Sequence, residues 1–442
     1  MYDYRYEDDT RINFVIDMKS FYSSVEIVER GLSVEDTPLV VISRRENDGS
    51  GLVMSASPKA KELYGISNVM RGRDLPKTKN LILAEPHMDL YIQKNIQINN
   101  IFRQFASDAD IYSYSIDESF VDVTTSYKLF DDNPINVAKM IQKQIKDELG
   151  IVTTIGIGPT LTLAKIALDN EAKNNKNGIA YWTFEDVPNK LWPIDNLSHV
   201  WSIGKKTVPL LAEIGINNLY QLAHFDPEKI VKKFGQRGAQ LFALSWGVDR
   251  AIISQRTQAK HHGIGNSQVL PKDYTDSRKI KLVIKEIAEQ TAHRIRRNNQ
   301  QTTVVHLGIG FSFSPENAWD GFAHQLKLTA PTSDSKIITD TLYYLFDKYW
   351  QGQPIRRIAV SLGHLSSEKF QQLSLLENPI RQSEHITIEN TIDGINKKFG
   401  SMSIFKASSL LDGSTAIYRS KLIGGHAARK EEENESIRSK TK

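Results

Sequence analysis

Residues 12–173 alternate between strand-like and helix-like patterns in a regular order. Apolar residues recur at helical spacing in some segments and at every second position in others. The order strand-helix, helix-strand-strand-helix-strand-helix predicts a ferredoxin-like α+β unit. In chain order, the predicted elements are a strand at 12–16, a helix that closes at Gly31, a helix at 90–105, strands at 111–116 and 119–124, a helix at 135–149, a strand at 152–158 and a helix at 160–173.

Other regions interrupt or follow this unit. Two strands and a helix are predicted within 38–65, an all-helical region punctuated by glycines at 191–246, and a separate α/β module from 268 onward. That module contains a basic helix at 277–297 and a strand at 302–314. The last stretch, ARKEEENESIRSKTK, is charged, and we expect it to be disordered. The chain is predicted to be α+β with several domains.

Composition excludes several classes of function. Hydrophobic residues make up 40% and charged residues 24% of the 442 residues, so a sizeable core can form. The absence of cysteine excludes disulfides, thiolate catalysis and Cys-ligated zinc, and it fits a reducing, intracellular setting. No apolar run of about 18 residues and no basic-then-apolar leader is present. We therefore expect a soluble chain with no membrane partner.

Two adjacent acids, Asp117 and Glu118, stand between the predicted strands 111–116 and 119–124. Successive strand residues point to opposite faces, so the two carboxylates can share a ligand only if the chain bends there, as at a hairpin tip. Acids at a hairpin tip are also commonly just solvated. Asp17 favours a shared site, because it too follows an apolar strand at the point where the chain turns into a helix.

Three carboxylates on neighbouring strand ends form a set of hard oxygen ligands. Mg²⁺ prefers a few carboxylates together with substrate phosphates and water. Two such ions about 4 Å apart can hold the attacking and leaving oxygens of an in-line phosphoryl transfer. The acids therefore indicate phosphoryl-transfer chemistry.

The chain resembles the Y-family (UmuC-like) translesion DNA polymerases. DMKSFYSSVE at 17–26 resembles the family's first palm motif, YSIDESFVD at 114–122 the second, and LAKIALDNEAKNNKNG at 163–178 the third. Residues 190–223 are similar to the family's thumb. The resemblance implies a right-hand polymerase with a ferredoxin-like palm, small fingers, a helical helix-hairpin-helix thumb and an α/β little finger. The implied domains are a palm at 1–23 and 78–180, fingers at 24–77, a thumb at 181–246, a linker at 247–257, a little finger at 258–368, and a clamp-binding peptide with a C-terminal extension at 369–442.

The resemblance also assigns the acids. It implies that Asp17, Asp117 and Glu118 are catalytic and bind two Mg²⁺ ions, with the carbonyl oxygen of Met18 as a further ligand. Tyr22 matches the steric gate, the ring under the incoming sugar that would clash with a 2′-hydroxyl. The alternative for Tyr22 is an ordinary core aromatic residue.

Three residues are assigned by the resemblance to the triphosphate of the incoming nucleotide: Phe21, Lys61 and Lys165. Lys165 would neutralise triphosphate charge as bonds break. At Lys61 the chain departs from the family's Tyr-x-x-Arg pattern and reads SPKAKELYG, so Lys59 or Arg71 could contact the phosphate instead. Lys19 stands where many relatives carry an acid or Asn, which we interpret as tuning.

DNA contacts are implied in two regions. In the thumb, WSIGKKT resembles a helix-hairpin-helix, whose glycine turn exposes backbone amides to a phosphate. In the little finger, the basic helix and the strand 302–314 would line the duplex, through contacts that give salt-sensitive affinity without sequence choice. The alternatives are an ordinary helix end and a solvated helix face, since the net charge of +4 permits a polyanionic partner without requiring one. The residues assigned to DNA are Gly204, Lys205, Lys206, Arg294, Arg296 and Arg297.

QLSLL at 372–376 is similar to the family's clamp-binding peptide, with Leu376 where Phe is often found. Gln372, Leu373, Leu375 and Leu376 would dock in a sliding clamp. A core or linker segment is the alternative for this stretch. The remaining residues to 442 resemble the extension of UmuC-like members and receive no chemical role.

The favoured function is a template-directed DNA polymerase of low fidelity, acting in translesion synthesis by adding dNMP to a primer 3′ end. The implied partners are primer-template DNA, dNTP, a sliding clamp and accessory mutagenesis proteins, in the bacterial cytoplasm at the nucleoid. A non-catalytic DNA- and clamp-binding scaffold of the same fold is the main alternative. A nucleotidyl cyclase would share the palm and its acids but would not explain the thumb and the basic module.

Overall fold

A computed structural model of the chain describes residues 6–43, 51–255, 263–312, 320–367, 379–400 and 402–428. These residues form two compact units, one ending at 255 and one spanning 263–428. The predicted clamp-binding residues 372–376 and the charged tail from 429 onward lie outside the described residues. In the described part of the chain, no helix is both long enough and apolar enough to cross a membrane.

The first unit combines two sheets with helices. Its elements are β1 (Asn13–Met18), α1 (Phe21–Glu29), β2 (Leu39–Ile42), β3 (Val53–Ala56), α2 (Pro58–Tyr64), β4 (Ile82–Ala84), α3 (Met88–Phe102), β5 (Ile111–Ser113), β6 (Glu118–Asp122), α4 (Pro134–Leu149), β7 (Thr153–Gly158), α5 (Leu161–Ala167), β8 (Ile179–Tyr181), α6 (Thr207–Ala212), α7 (Leu219–Ala223), α8 (Pro227–Phe234) and α9 (Gln236–Ser245).

The larger sheet has the strand order β5-β6-β1-β7-β8. Strands β5, β6, β1 and β7 are antiparallel neighbours, and β8 is added in parallel to β7. The central position of β1 between β6 and β7 is the order of a ferredoxin-like fold, which confirms the predicted α+β class. Helix α4 buries an apolar stripe of Val137, Ile141 and Ile145 at helical spacing.

The smaller sheet has the order β3-β2-β4, with β4 parallel to β2. Helix α2 follows β3 directly, because Ser57 caps it by accepting a hydrogen bond from the Ala60 amide and Pro58 occupies its first turn. The helix ends at Gly65, whose φ of 63° suits glycine. Strands β2 and β3 and helix α2 lie in the range predicted for the fingers, whereas β4 lies in the range predicted for the palm.

The predicted thumb region is helical, as its glycine punctuation indicated, and its buried apolar residues among those described share a cluster with residues of the larger sheet. One apolar cluster contains Val15 of β1, Phe120 of β6, Leu163 of α5, and thumb residues such as Leu222 and Trp246. The thumb helices are therefore packed against the sheet that carries the acids.

The second unit is built on a four-stranded antiparallel sheet of order β11-β10-β12-β9, covered on one face by two helices. Residues 379–428 pack against helix α10 of this unit as an extension. The elements are β9 (Ile264–Tyr274), α10 (Ser277–Arg297), β10 (Gln300–Phe311), β11 (Gly321–Thr332), α11 (Ser335–Tyr349), β12 (Ile355–Gly363), β13 (Ser366–Ser367), α12 (Pro379–Phe399), α13 (Ala416–Arg419), β14 (Leu422–Ile423) and β15 (His426–Ala427).

Candidate active site

Asp17 and Glu118 lie directly opposite each other on the antiparallel strands β1 and β6. The Met18 amide donates a hydrogen bond of 2.8 Å to the carbonyl oxygen of Asp117, which fixes the end of β1 against the hairpin. The chain turns sharply before β6, because the amides of Tyr114 and Ser115 both donate to the Glu118 carbonyl, at 2.9 and 3.0 Å. The hairpin bend that a shared site requires is therefore present.

The turn between β1 and α1 contains a residue in an uncommon conformation. Ser20 has a φ of 51°, in the left-handed region that few residues other than glycine adopt. The Ser24 amide and the Ser23 hydroxyl both donate to the Ser20 carbonyl, at 2.9 and 2.8 Å. Such strain is held by surrounding contacts and is often found near functional sites. Here it starts α1 close behind Asp17.

Burial and like charge act on the acids together. Burial raises the pKa of Asp17 to about 6, and although Lys173 opposes this rise, the neighbouring carboxylates Asp117 and Glu118 add to it. Burial also raises the pKa of Glu118. The nearby positive charge therefore does not fully offset burial and like charge at Asp17 and Glu118.

Two lysines form ion pairs with the acids. Lys165 Nζ lies 2.8 Å from Glu118 Oε2 and 3.1 Å from Asp169 Oδ1. Lys173 Nζ lies 3.4 Å from Asp17 Oδ2 and 2.9 Å from Asp169 Oδ1. Although burial opposes ionisation of an ammonium group, the carboxylates of Asp17 and Asp169 raise the pKa of Lys173. Lys165 therefore lies at the predicted site, but its partner in this structure is a predicted metal ligand.

Close packing of α5 on β7 brings Lys165 to this position. A Cβ atom at Gly156 would lie 2.0 Å from the carbonyl oxygen of Ala164, so only glycine allows the approach. The helix continues beyond Ala167 as a π-helical turn, Leu168–Ala172. In a regular α-helix, two residues eight positions apart would differ in direction by about 80°. The wider π turn changes this phase, and Lys165 and Lys173 converge on the same acids.

Lys173 is a site residue that sequence reasoning missed. The signal was present in the third motif, where Asp169 and Lys173 follow Lys165 at four-residue steps, the spacing of one helix face. Asp169 was missed together with Lys173.

The acids suit a divalent cation. Glu118 is buried, and its carboxylate is paired with Lys165 Nζ at 2.8 Å. A buried carboxylate beside two further acids is a donor set of the kind that Mg²⁺ prefers. As the described side chains stand, no three His, Asp or Glu residues are arranged to hold a metal ion, and Lys165 and Lys173 occupy the acids.

Tyr22 stands beside the acids with its ring supported from behind. It is half-buried and stacks on Tyr91, with ring centroids 4.6 Å apart and planes inclined by 27°. Burial and the Asp117 carboxylate raise the pKa of Tyr22. Tyr91 is itself fixed by a hydrogen bond of 3.0 Å to Glu26. By contrast, Phe21 is only 2% exposed as a whole residue, so its side chain belongs to the core.

Among the basic residues proposed near the triphosphate, the structure favours Lys61. Its Nζ donates to Ser20 Oγ at 3.1 Å, and burial together with Lys19 lowers its pKa. Lys59 is paired with Glu62 at 3.0 Å instead. Lys61 and Lys19 thus lie close to each other and to Asp17.

The predicted DNA residues fall into two groups. Gly204, Lys205 and Lys206 are exposed just before α6, and Arg294 and Arg297 are exposed on α10. Arg296 is different: its side chain is 8% exposed and is bound by Glu389 at 3.0 Å and Asp393 at 2.7 Å. This placement does not favour the predicted contact of Arg296 with DNA, because its guanidinium is already paired with two acids. Those acids belong to the extension 379–428, which had no assigned position in the sequence analysis.

The sheet of the second unit has an open face, and its strand β10 overlaps the strand 302–314 that was predicted to line the duplex. Val305, Leu307 and Ile309 of β10 point into the core with α10 and α11. The alternate residues, including His306 and Gly308, lie on the other face. Neighbours of these residues across the sheet, by strand register, are Gln325, Ser361, Ala323, Ala359 and Ser267. Exposed Lys327 and Arg357 add positive charge to a surface of mostly small side chains.

Comparison with known proteins gives a consistent result. The impB/mucB/samB family matches residues 16–169, and the impB/mucB/samB family C-terminal domain matches residues 261–375. A protein of Bacillus subtilis (strain 168) named for UV-damage repair, UvrX, is 37% identical over 93% of this chain and 96% of its own length. A protein of the same organism named DNA polymerase IV 2 is 34% identical over 94% of this chain and 98% of its own length.

A solved structure has the same fold. It is a "Y-family DNA polymerase chimera Dbh-Dpo4(243-245)-Dbh", with a TM-score of 0.65 and 23% identity, and the match covers 80% of this chain and 99% of that one. The chain therefore belongs to the impB/mucB/samB family, the Y-family (UmuC-like) translesion DNA polymerases, as its motifs predicted.

Proposed function

We propose that this chain adds dNMP to the 3′ end of a primer opposite damaged template bases, by phosphoryl transfer assisted by two Mg²⁺ ions. The observation that carries the proposal is the convergence of Asp17 and Glu118 on paired strands, with Asp117 in the adjoining turn and two lysines beside them. The names of the relatives, one a DNA polymerase and one a UV-damage repair protein, are consistent with it.

We assign one group of residues to metal binding and another to the triphosphate. Asp17, Asp117, Glu118 and the Met18 carbonyl would hold the ions, which supply positive charge to the attacking and leaving oxygens. Lys165, Lys173 and Lys61 would bind the triphosphate, with the Phe21 amide at the start of α1. The two lysines of the third motif leave the acids when the ions and the nucleotide bind, because their charge is then better matched by phosphate oxygens.

Tyr22 is proposed to select deoxyribose. Its ring is half-buried, stacked on Tyr91 and close to Asp117, so it presents a fixed surface beside the reacting groups. A rigid ring at that place excludes a 2′-hydroxyl by steric overlap alone.

DNA is proposed to bind two surfaces, each described within its own unit. The exposed turn at Gly204, Lys205 and Lys206 would contact phosphates through backbone amides and lysine side chains. In the second unit, the open sheet face with Lys327 and Arg357 is the better candidate than the buried side of α10, because small side chains let the strands approach a duplex closely. The exposed Arg294 and Arg297 of α10 would make additional contacts with the DNA at the edge of this surface.

Further partners complete the proposal. A sliding clamp would bind at Gln372, Leu373, Leu375 and Leu376, accessory mutagenesis proteins would assist, and the site of action would be the bacterial nucleoid in the cytoplasm. The mutant that tests the clamp contact separately is a double alanine substitution at Leu375 and Leu376, which should abolish clamp-stimulated synthesis and spare synthesis without clamp.

The experiment that tests the central proposal is primer extension on undamaged and abasic templates with Mg²⁺ and four dNTPs. Asp117→Asn should reduce incorporation by roughly a thousandfold, because several kcal/mol of charge stabilisation are lost. Asp147→Asn is the matched control, since Asp147 is an exposed acid of α4 paired with Lys143. Wild type that binds primer-template and never extends it would overturn the proposal in favour of a DNA-binding scaffold.

A further inference from the structure

Asp169 lies between the two lysines of the active site. Its Oδ1 atom accepts hydrogen bonds from Lys165 Nζ at 3.1 Å and from Lys173 Nζ at 2.9 Å. Its side chain is 27% exposed, whereas that of Lys165 is 7% exposed. One carboxylate therefore connects both ammonium groups at the inner wall of the site.

The local backbone explains this position. Lys165 precedes Asp169 by four residues and Lys173 follows it by four, the spacing at which helical side chains meet. Asp169 lies in the π-helical turn Leu168–Ala172, and π turns inserted in α-helices are frequent at functional sites.

The second partners of the lysines distinguish this group from ordinary helix-surface ion pairs. Lys165 also binds Glu118, and Lys173 also contacts Asp17. Each ammonium is thus shared between Asp169 and one acid of the proposed metal site. When that acid takes up a cation, Asp169 remains as the acceptor that keeps the ammonium in place.

We propose that Asp169 is a positioning residue that holds Lys165 and Lys173 at the triphosphate site when they leave Glu118 and Asp17. The inference rests on the proposed polymerase function. In this proposal Asp169 acts through the two lysines and does not itself bind the reacting atoms.

The opposite expectation follows if Asp169 is only a negative charge near the site. Removing a negative charge would then strengthen the binding of a triphosphate, because it would raise the local positive potential. Loss of positioning would weaken it. The direction of the change in nucleotide affinity therefore separates the two explanations.

The test compares Asp169→Asn with Glu171→Gln. Glu171 lies in the same π turn and undergoes the same change of charge, but it accepts from Trp182 at 2.7 Å and contacts Lys190 at 3.4 Å, away from the acids. In single-nucleotide incorporation, Asp169→Asn should raise the KM for dCTP about tenfold, the size expected for losing charge-assisted hydrogen bonds in a partly exposed site. The kcat should change less, and Glu171→Gln should match wild type.

Two further measurements test whether Asp169 affects nucleotide binding independently of incorporation. Calorimetric titration of dCTP onto protein with primer-template in Ca²⁺, where no incorporation is needed, should show the same loss of affinity, and Asp169→Glu should recover most of it. Unchanged or tighter dCTP binding by Asp169→Asn would overturn the inference. Failure of the wild type to extend a primer would instead overturn the proposed function, and the dCTP titration would still report on Asp169.

Discussion

Two groups of buried charges in this molecule have opposite balances. At the acids of the first unit, burial dominates and the pKa of Asp17 rises to about 6. At the extension of the second unit, burial of Asp393 is outweighed by its bonds to His293 and Arg296, which lower its pKa. Glu118 accepts from Lys165, whereas Glu389 accepts from both Arg296 and Ser335.

The difference distinguishes acids that can bind a ligand from ion pairs that only hold two segments of the chain together. Charges that are fully matched within the chain have no need of a ligand, and breaking them exposes an uncompensated partner. At Asp17 and Glu118 the pKa values stay raised although lysines pair with both acids, so a divalent cation would stabilise their ionised forms further. Buried acids whose pKa values are raised by burial and by neighbouring carboxylates are therefore candidates for a functional site.

The largest change in stability is expected at the matched group. Arg296→Met should lower the free energy of unfolding by about 3 kcal/mol, because Glu389 and Asp393 would remain buried without their cation. Scanning calorimetry of the whole chain measures the effect. Arg297→Met is the control, since Arg297 is exposed, and an equal effect in both variants would contradict the assignment of a buried joint.

A change of opposite sign is expected at the unmatched group. Asp17→Asn should stabilise the metal-free protein at pH 7.5 by up to about 3 kcal/mol, the upper limit set by a rise of about two pKa units. The same variant should lose primer extension. Denaturation in EDTA measures the gain, and a destabilised Asp17→Asn protein would show that the acid is structurally matched after all.

The pH dependence should differ between the two groups. Since the pKa of Asp17 is about 6 in the folded chain and about 4 in the unfolded chain, the free energy of unfolding attributable to Asp17 should fall as pH rises from about 4 to about 6. Asp393 has a lowered folded pKa, so its contribution is present above about pH 4 and is lost as pH falls through that lowered value.

The difference between wild type and Asp17→Asn, followed by calorimetry across this range without metal, isolates the effect of Asp17. A difference that does not vary with pH would remove the electrostatic basis of the comparison.

The smallest effect is expected where the extension is held by neutral donors. Glu286 accepts from the Thr415 amide and hydroxyl, both at 3.0 Å, and from the Ser414 hydroxyl at 2.5 Å. Glu286→Gln keeps the shape and should cost about 1 kcal/mol, as expected for one or two weakened hydrogen bonds. Hydrogen exchange of residues 402–428 should rise, while exchange of β1 and β6 stays unchanged.

Sequence patterns predicted the elements that are defined by local periodicity and by chain reversals. The strand ending at Asp17 and the hairpin at Asp117 and Glu118 are of this kind, since alternation and adjacent acids mark them. Lys165, Asp169 and Lys173 follow one another at four-residue steps, so a shared helix face was predictable, but the π turn that sets their final direction departs from the regular helical period. The partners of Arg296 lie more than ninety residues away in the chain, and no local pattern connects them.

The common core of the thumb helices and the catalytic sheet has a mechanical consequence. Phe120, two residues after Glu118, belongs to the same apolar cluster as Trp246, and its ring meets that of Trp201 at 6.3 Å. Trp201 also donates to the Tyr114 hydroxyl at 3.4 Å, at the base of the catalytic hairpin. A displacement of these helices relative to the sheet would therefore strain the strand that carries Glu118, because the three aromatic side chains Phe120, Trp201 and Trp246 pack in one apolar cluster.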